Sequence, residues 1–295
     1  MLSCSGACVL HTACAPGEPE IVVTSSFSQK SLNGSVIDRQ RHAYAAHTAI
    51  SFVNVCSLAP AATATVVALG GRDDLVGVTH NATVDIDVPA VGGWLNPDYD
   101  RLAALDPDVV LTGDPLQRDV RDALRERGFS VRHREPARLD DVLAGFAARG
   151  DDVGRGAAGE RLEAACRERV AAVREAVAGT KRPVVYCEEW DDPPMAAGNW
   201  VPDAVRAAGG RSPFVDPGAR SHEVDRATVE AADPDHVVAH YCGRGGREAP
   251  DFDARGWRLD ADVHVLDDAL LNQPSPALVD GIEALAERLH PERVA

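Results

Sequence analysis

Lysine is almost missing from this chain. Of 30 basic residues only Lys30 and Lys181 are lysines, and 46 acids outweigh the bases to a net charge of −16. No basic stripe is present to track a phosphate backbone, which excludes nucleic acid as a partner. No apolar run approaches the roughly 20 residues that a membrane-crossing helix needs. Cys-x-x-Cys spacing is absent as well. Cys56, Cys166, Cys187 and Cys242 are scattered through the body, which reads as small buried side chains and not as a disulfide framework. His240 and Cys242 come nearest to a zinc-ligand pair, but no second pair stands at ligand spacing. Gly-x-Ser-x-Gly, Walker, dinucleotide-binding and His-Glu-x-x-His motifs do not occur, and nothing orients Cys187 toward a histidine, so no catalytic residue is expected. An acid excess with arginine in place of lysine suits a solvated surface in high salt, where short screening lengths make self-repulsion tolerable.

The charge is unevenly spread. Residues 1–52 hold Glu18, Glu20 and Asp38 against Lys30, Arg39 and Arg41, a sum of zero, so the whole excess lies beyond them. This leader is rich in serine and carries Cys4, Cys8 and Cys14, but it lacks the basic region and long apolar core of a signal peptide. The folded part is expected to start at Val53, with residues 1–52 disordered or not native. Without export features a cytoplasmic location is favoured over the outer face of the membrane.

What is present is organised around one stretch. From Val153 to Val177, Leu162, Ala165, Cys166, Val170, Val173 and Val177 recur at helical steps, with Arg161, Glu168, Arg169 and Glu175 on other faces. One long amphipathic helix is expected there. On either side the chain repeats itself. Arg101-Leu-Ala-Ala-Leu-Asp-Pro-Asp and Arg226-Ala-Thr-Val-Glu-Ala-Ala-Asp-Pro-Asp are each a short helix stopped by Asp-Pro-Asp and followed by a β-branched strand. The fold class expected is α/β, two Rossmann-like lobes with parallel sheets joined by a single long helix. The lobes would span 53–150 and 181–295, the helix 151–180.

In the first lobe the β-α-β spacing sets Pro60, Ala61 and Ala62 at the carboxyl edge of a sheet, where such folds bind ligands. The strand Leu75 to Val78 runs into His80. Trp94, in Val91-Gly-Gly-Trp-Leu-Asn-Pro97, can face a ligand or turn inward, and the local sequence does not decide between them. Asp98 and Asp100 open a helix and complement its dipole. In the second lobe, Glu188 to Met195 reads as an acidic, proline-fixed loop with Trp190 and Met195 on an apolar face. Trp190 and Trp200, both beside loops, suggest a pocket wall more than a core.

Several of these segments resemble the cobalamin-binding proteins among the ABC-importer substrate-binding proteins of class III, the periplasmic-binding-protein-like group that also contains siderophore and haem receptors. The resemblance is carried by Ser57-Leu-Ala-Pro-Ala-Ala-Thr63, Leu75-Val-Gly-Val-Thr-His80, Glu189-Trp-Asp-Asp-Pro-Pro194, Ala197-Gly-Asn-Trp-Val-Pro202, Ala208-Gly-Gly and Pro276-x-Leu-Val-Asp-Gly281, and it extends over residues 53–292. It implies a monomeric vitamin B12 receptor, not an enzyme, with a corrinoid as bound ligand and an ABC transporter permease as partner. Trp94 then matches a tryptophan lying on the corrin ring, Met195 stands where an aromatic residue follows the paired prolines, and Pro60, Ala61 and Ala62 match the first-lobe ligand loop. Asp100 matches an acid that docks on the permease, whereas the opposing docking acid is replaced by Ala227. Leu270, Leu271 and Gln273 replace an aromatic pair and an arginine.

Chemistry gives the same kind of site. A corrinoid is broad and flat with amide edges, so Trp94, Trp190 and Trp200 would offer faces, and Glu189, Asn199, Asn272 and Gln273 rim contacts. A helical spacer implies small opening on ligand release. The rival readings are a siderophore- or haem-binding receptor of the same class, and a cytosolic enzyme or corrinoid-handling accessory protein.

Overall fold

The computed structural model describes residues 53–243 and 249–294. The leader assigned to residues 1–52 lies outside the described residues. The first sheet joins β1 (Val55–Ser57), β2 (Leu75–Val78), β3 (Val109–Gly113) and β4 (Val131–Arg134) in the order β2-β1-β3-β4, every pair parallel. Its central strands β1 and β3 are buried on both faces, as parallel strands under helices must be. Val55 packs with Ala62 and Val66 of α1 (Pro60–Ala68). Its neighbour Cys56 points the other way, to Leu102 of α2 (Tyr99–Ala104) and Val120 and Leu124 of α3 (Arg118–Glu126).

Local chemistry sets the ends of these helices. Pro60 sits in the first turn of α1, where its missing N–H costs nothing, and Gly70 leaves the helix at φ 73°. Asp98 caps α2 by accepting from the Arg101 N–H at 3.0 Å.

The second sheet comprises β5 (Val185–Asp191), β6 (Pro194–Ala196), β7 (His222–Glu223), β8 (His236–Ala239) and β9 (Asp262–Val265), in the order β7-β6-β5-β8-β9. Here the expectation of a fully parallel sheet needs correction: β5, β8 and β9 are parallel, whereas β6 runs against them and pairs antiparallel with both β5 and β7. The acidic stretch expected as a loop is a hairpin in which Trp190 pairs with Met195 and Asp191 with Pro194 across Asp192-Pro193. A two-residue connection can join only antiparallel strands.

Between the sheets the chain forms two helices, α4 (Leu139–Asp152) and α5 (Gly156–Ala176). The long helix read from Val153 begins three residues later, because Val153 to Arg155 make the turn between the pair. The helices touch backbone to backbone: a Cβ on Gly150 would lie 2.9 Å from Gly159 Cα, and one on Gly159 would lie 2.8 Å from Phe146 O. Any side chain at either position would push them apart. α4 was expected to finish the first lobe, yet Leu139, Val142, Leu143 and Phe146 join the core of the second sheet together with Cys166, Val170 and Val173 of α5. That core is completed by α6 (Val201–Ala207) and by α9 (Ala277–Leu289), which contributes Leu278, Ile282, Leu285 and Leu289.

Ion pairs fasten this helical pair on several sides. Arg155 at the head of α5 reaches buried Asp74 of the first lobe at 2.6 Å. Arg138 before α4 forks onto Asp203 of α6 with two bonds of 2.9 Å. Arg169 of α5 bridges Asp280 and Glu283 of α9.

Candidate functional site

In a sheet of order β2-β1-β3-β4 the crevice outside β1 and β3 is where ligands bind, because the chain leaves those two strands in opposite directions. Gln117 governs that crevice. Fully buried, it donates from Nε2 to Leu58 O at 3.0 Å and Trp94 O at 2.6 Å, and its Oε1 accepts from the Gly113 N–H at 2.8 Å. One amide thus ties together the ends of β1 and β3 and the loop bearing Trp94. Next to it Asp114 holds φ 72°, an unusual value for a side-chain-bearing residue, and accepts from the Leu116 N–H at 2.7 Å.

Around this knot Pro60 and Ala61 are half-buried, His80 is exposed and Trp94 is half-buried, whereas Ala62 belongs to the core. Leu95 and Leu116, 46% and 55% exposed, flank Trp94 and Gln117. Trp190 closes β5 at 39% exposure, its indole N–H donating to Asp192 O at 2.8 Å. Three of the four exposed large apolar side chains among the described residues therefore stand at the carboxyl ends of strands, Leu95 and Leu116 in the segments that follow β2 and β3 and Trp190 in the hairpin at the end of β5; the fourth, Val263, is on edge strand β9. Exposed apolar groups gathered in this way mark a binding surface more often than singly scattered ones do.

The second sheet supplies polar groups at the same kind of edge. Gly198 and Asn199 follow β6, and a Cβ on Gly198 would meet Ala219 O and Ser221 N at 2.4 Å, so only glycine permits this approach. Asn199 adopts φ 52°, which its short amide tolerates. Gly198 N–H donates to Ser221 Oγ at 2.9 Å, and Ser221 in turn bonds to the Glu189 carboxylate. Met195, beside Trp190 in the hairpin, is half-buried.

Two expected contacts are already engaged elsewhere. Asn272 is paired with His240, its Nδ2 donating to His240 O at 2.9 Å and its Oδ1 meeting Nδ1. Trp200 is 7% exposed, and its indole N–H donates to Leu271 O at 2.7 Å. Its ring faces the core and not a cleft, because the first turn of α6 packs inward on α9. Gln273 accepts from Thr83 Oγ1 at 3.4 Å, a direct contact between the first-lobe loop after β2 and the second-lobe segment after α8 (Asp268–Leu271).

Beneath the hairpin lies a cluster that the sequence did not reveal. Glu188 is fully buried and accepts from Tyr186 Oη at 3.1 Å, Tyr241 Oη at 2.5 Å, and Arg255 Nη1 and Nη2 at 2.9 and 2.8 Å. The Arg255 guanidinium lies over Trp257 and Phe252, 4.6 and 4.9 Å from the ring centres. Burial, with the carboxylate close by, pushes both tyrosine hydroxyls above their ordinary range, so both remain donors.

The reactive-looking groups are quiet. Burial pushes the Cys187 thiol up to about 12 and His240 down to about 4, so at neutral pH one is an uncharged thiol and the other a neutral imidazole. Among the described residues no group of three or more His, Cys, Asp or Glu could hold a metal ion, and no helix is long and apolar enough to cross a membrane.

Glu189 is the titrating group of this edge. Burial raises its carboxyl above the ordinary value of 4.5, and the bond from Ser221 partly opposes the shift. A raised carboxyl pKa costs stability where the fold must hold the charge. The penalty is absent below 4.5, grows as pH rises toward the folded pKa, and is complete above it. Glu189→Gln is therefore expected to raise the thermal midpoint at pH 7 and to lose that advantage as pH falls below 4.5. An advantage that persisted at low pH would show that burial of the charge is not its cause.

Two α/β sheets whose exposed apolar and polar groups collect at the carboxyl ends of strands have the layout of a ligand-binding protein. The chain belongs to the periplasmic binding protein family, whose model matches residues 55–274. It is 28% identical over 260 residues to the cobalamin-binding protein of Halobacterium salinarum, covering 80% of this chain and 69% of that protein. Among solved structures it is similar to the vitamin B12-binding protein of Vibrio cholerae, with TM-score 0.62, 20% identity, and 80% and 95% of the two chains covered. A heme-binding protein of Roseiflexus sp. RS-1 gives TM-score 0.64 at 22% identity, covering 80% and 98%. The protein is thus a receptor of this class.

Proposed function

We propose that the protein holds cobalamin or another corrinoid between two lobes, residues 53–150 and 181–295, and delivers it to an ABC importer. The observation that carries this reading is the pairing of exposed apolar groups with an acidic rim. In this reading half-buried Trp94 and exposed Leu95 and Leu116 on one side and exposed Trp190 on the other would give a broad apolar bed. Glu189, Asp191 and Asp192 at the β5 hairpin and Asp267 and Asp268 after β9 would form an acidic second-lobe rim beside it.

Such a rim discriminates by charge. A macrocycle with carboxylate arms, as in haem, would place like charges together, whereas the uncharged amide arms of a corrin can donate to these carboxylates. The 28% identity to a cobalamin-binding protein supports the same choice. Pro60, Ala61, His80, Met195, Asn199 and Gln273 would complete the contacts, with Asn272 acting through His240. Asp100 and Ala227 occupy the second positions of α2 and α7 (Arg226–Ala232), both exposed, so permease docking would rest on Asp100 on one lobe without a matching acid on the other.

Absorbance titration with cyanocobalamin and with haemin, followed by gel filtration, tests the assignment. A perturbed corrin spectrum that co-elutes at one ligand per chain is expected, with haemin much weaker. Tight haemin association without any corrinoid binding would replace this reading with the haem one.

A further inference from the structure

Arginine collects where the proposed ligand site does not reach. Arg182, Arg206 and Arg211, with Pro202 and Ser212, line a surface pocket of about 270 Å3. Arg182 precedes β5, and Arg211 bridges Val184 at the strand's start. Trp190 lies near the other end of that seven-residue strand, roughly 20 Å away at about 3.3 Å per residue. The pocket is therefore remote from the carboxyl-end loops.

Its charge is not balanced locally. None of the five lining residues is acidic. Arg182 places Nε and Nη2 on Gly210 O at 3.2 and 2.8 Å, which fixes the guanidinium without neutralising it. The nearest carboxylate to Arg206 is Asp203 at 3.8 Å, and that group already holds Arg138 through two bonds of 2.9 Å. Arg211 makes no side-chain hydrogen bond or ion pair among the described residues. Three arginines thus line one hollow in a chain whose net charge is −16.

We propose that this pocket is a second binding site, for a small multiply charged oxyanion of the phosphate type. Arginine's planar fork matches the edges of such an anion, and the Ser212 hydroxyl adds a donor. The volume lies at the low end for ligand pockets, which suits an ion or a phosphate monoester and not a large organic molecule. The lining arginines are solvent-exposed, so affinity is modest and falls as chloride is raised.

Isothermal titration of the full chain at fixed chloride, with inorganic phosphate in one arm and glycerol 3-phosphate in the other, tests the site. Saturable one-to-one binding in either arm is expected, and the tighter arm tells a free ion from an esterified one. Arg206→Ala with Arg211→Ala should weaken it roughly tenfold or more. Arg211→Glu alone should abolish it, while cobalamin binding and the thermal midpoint without anion stay unchanged. No saturable heat in either arm, or equal affinity in the double variant, would overturn the proposal. Because the readout is independent of the corrinoid, failure of one assignment leaves the other standing.

Discussion

Replacing Glu188 with alanine should destabilise the protein by about 3 kcal/mol, a large part of the roughly 5–15 kcal/mol that holds a typical domain together. The carboxylate is fully buried and accepts four hydrogen bonds. Its removal leaves two tyrosine hydroxyls and a guanidinium without their shared acceptor. Breaking a buried pair from one side costs about 3–5 kcal/mol, because the surviving charge stays desolvated. Arg255 is 22% exposed, so water can reach it, and the lower end of that range applies. The urea midpoint reports the change. Combining Glu188→Ala with Arg255→Met should recover part of the loss, since no buried charge is then left alone. If the double variant lost the sum of the two single effects, the cluster would not act as a unit. The same substitution should weaken ligand binding, because Glu188 lies two residues before Trp190 and anchors the strand that presents it.

That cluster also marks the limit of what the sequence could disclose. Signals contained within a few residues were readable. Pro60 at a helix start, Gly70 after its end, the Asp-Pro-Asp stops before β3 and β8, and the stripe of Leu278, Ile282, Leu285 and Leu289 all act through the adjacent turn of backbone. The features that escaped depend on partners far along the chain. Arg255 is 67 residues from Glu188, and Gln117 is 59 residues from Leu58. Trp200 looked like a pocket wall because glycine and asparagine precede it. Its actual direction is set by Leu271, 71 residues later, whose carbonyl takes the indole N–H. The hairpin at Trp190 was hidden for another reason: prolines and acids resist strand assignment, yet Pro194 lies in short β6 and the acids face solvent or buried donors. The resemblance drew on Trp94, Trp190 and Trp200 alike, and neither it nor composition separated the core-facing Trp200 from the other two.

The arrangement of α4 and α5 bears on how such a receptor could move. A spacer fastened through Arg155 to Asp74, through Arg138 to Asp203 and through Arg169 to α9 has few free torsions. Backbone contact at Gly150 and Gly159 removes the slack that side chains would leave between the two helices. Closure around a guest would then come from the carboxyl-end loops more than from a hinge between sheets. This places the recognition energy on groups already held in position, and it singles out the two indoles.

Substituting both Trp94 and Trp190 with alanine should weaken corrinoid binding by about 3–5 kcal/mol, roughly a hundred- to several thousand-fold, with each single change costing about 1.5–2.5 kcal/mol. Each indole can cover a large area of a flat macrocycle, and neither must be reorganised to do so. Trp94 is fixed through its carbonyl by Gln117, and Trp190 through its N–H on Asp192 O. Trp190 is 39% exposed and Trp94 half-buried, so their loss should lower the urea midpoint less than loss of a core side chain would. Trp200→Phe provides the opposite case. It removes the bond to Leu271 O and some core volume, and so it should lower stability while leaving affinity intact. Equilibrium dialysis with cyanocobalamin measures the first effect and urea unfolding the second. If the double variant bound as tightly as the parent, the indoles would not lie on the ligand. If Trp200→Phe lost affinity with no loss of stability, the core tryptophan would be the one in contact.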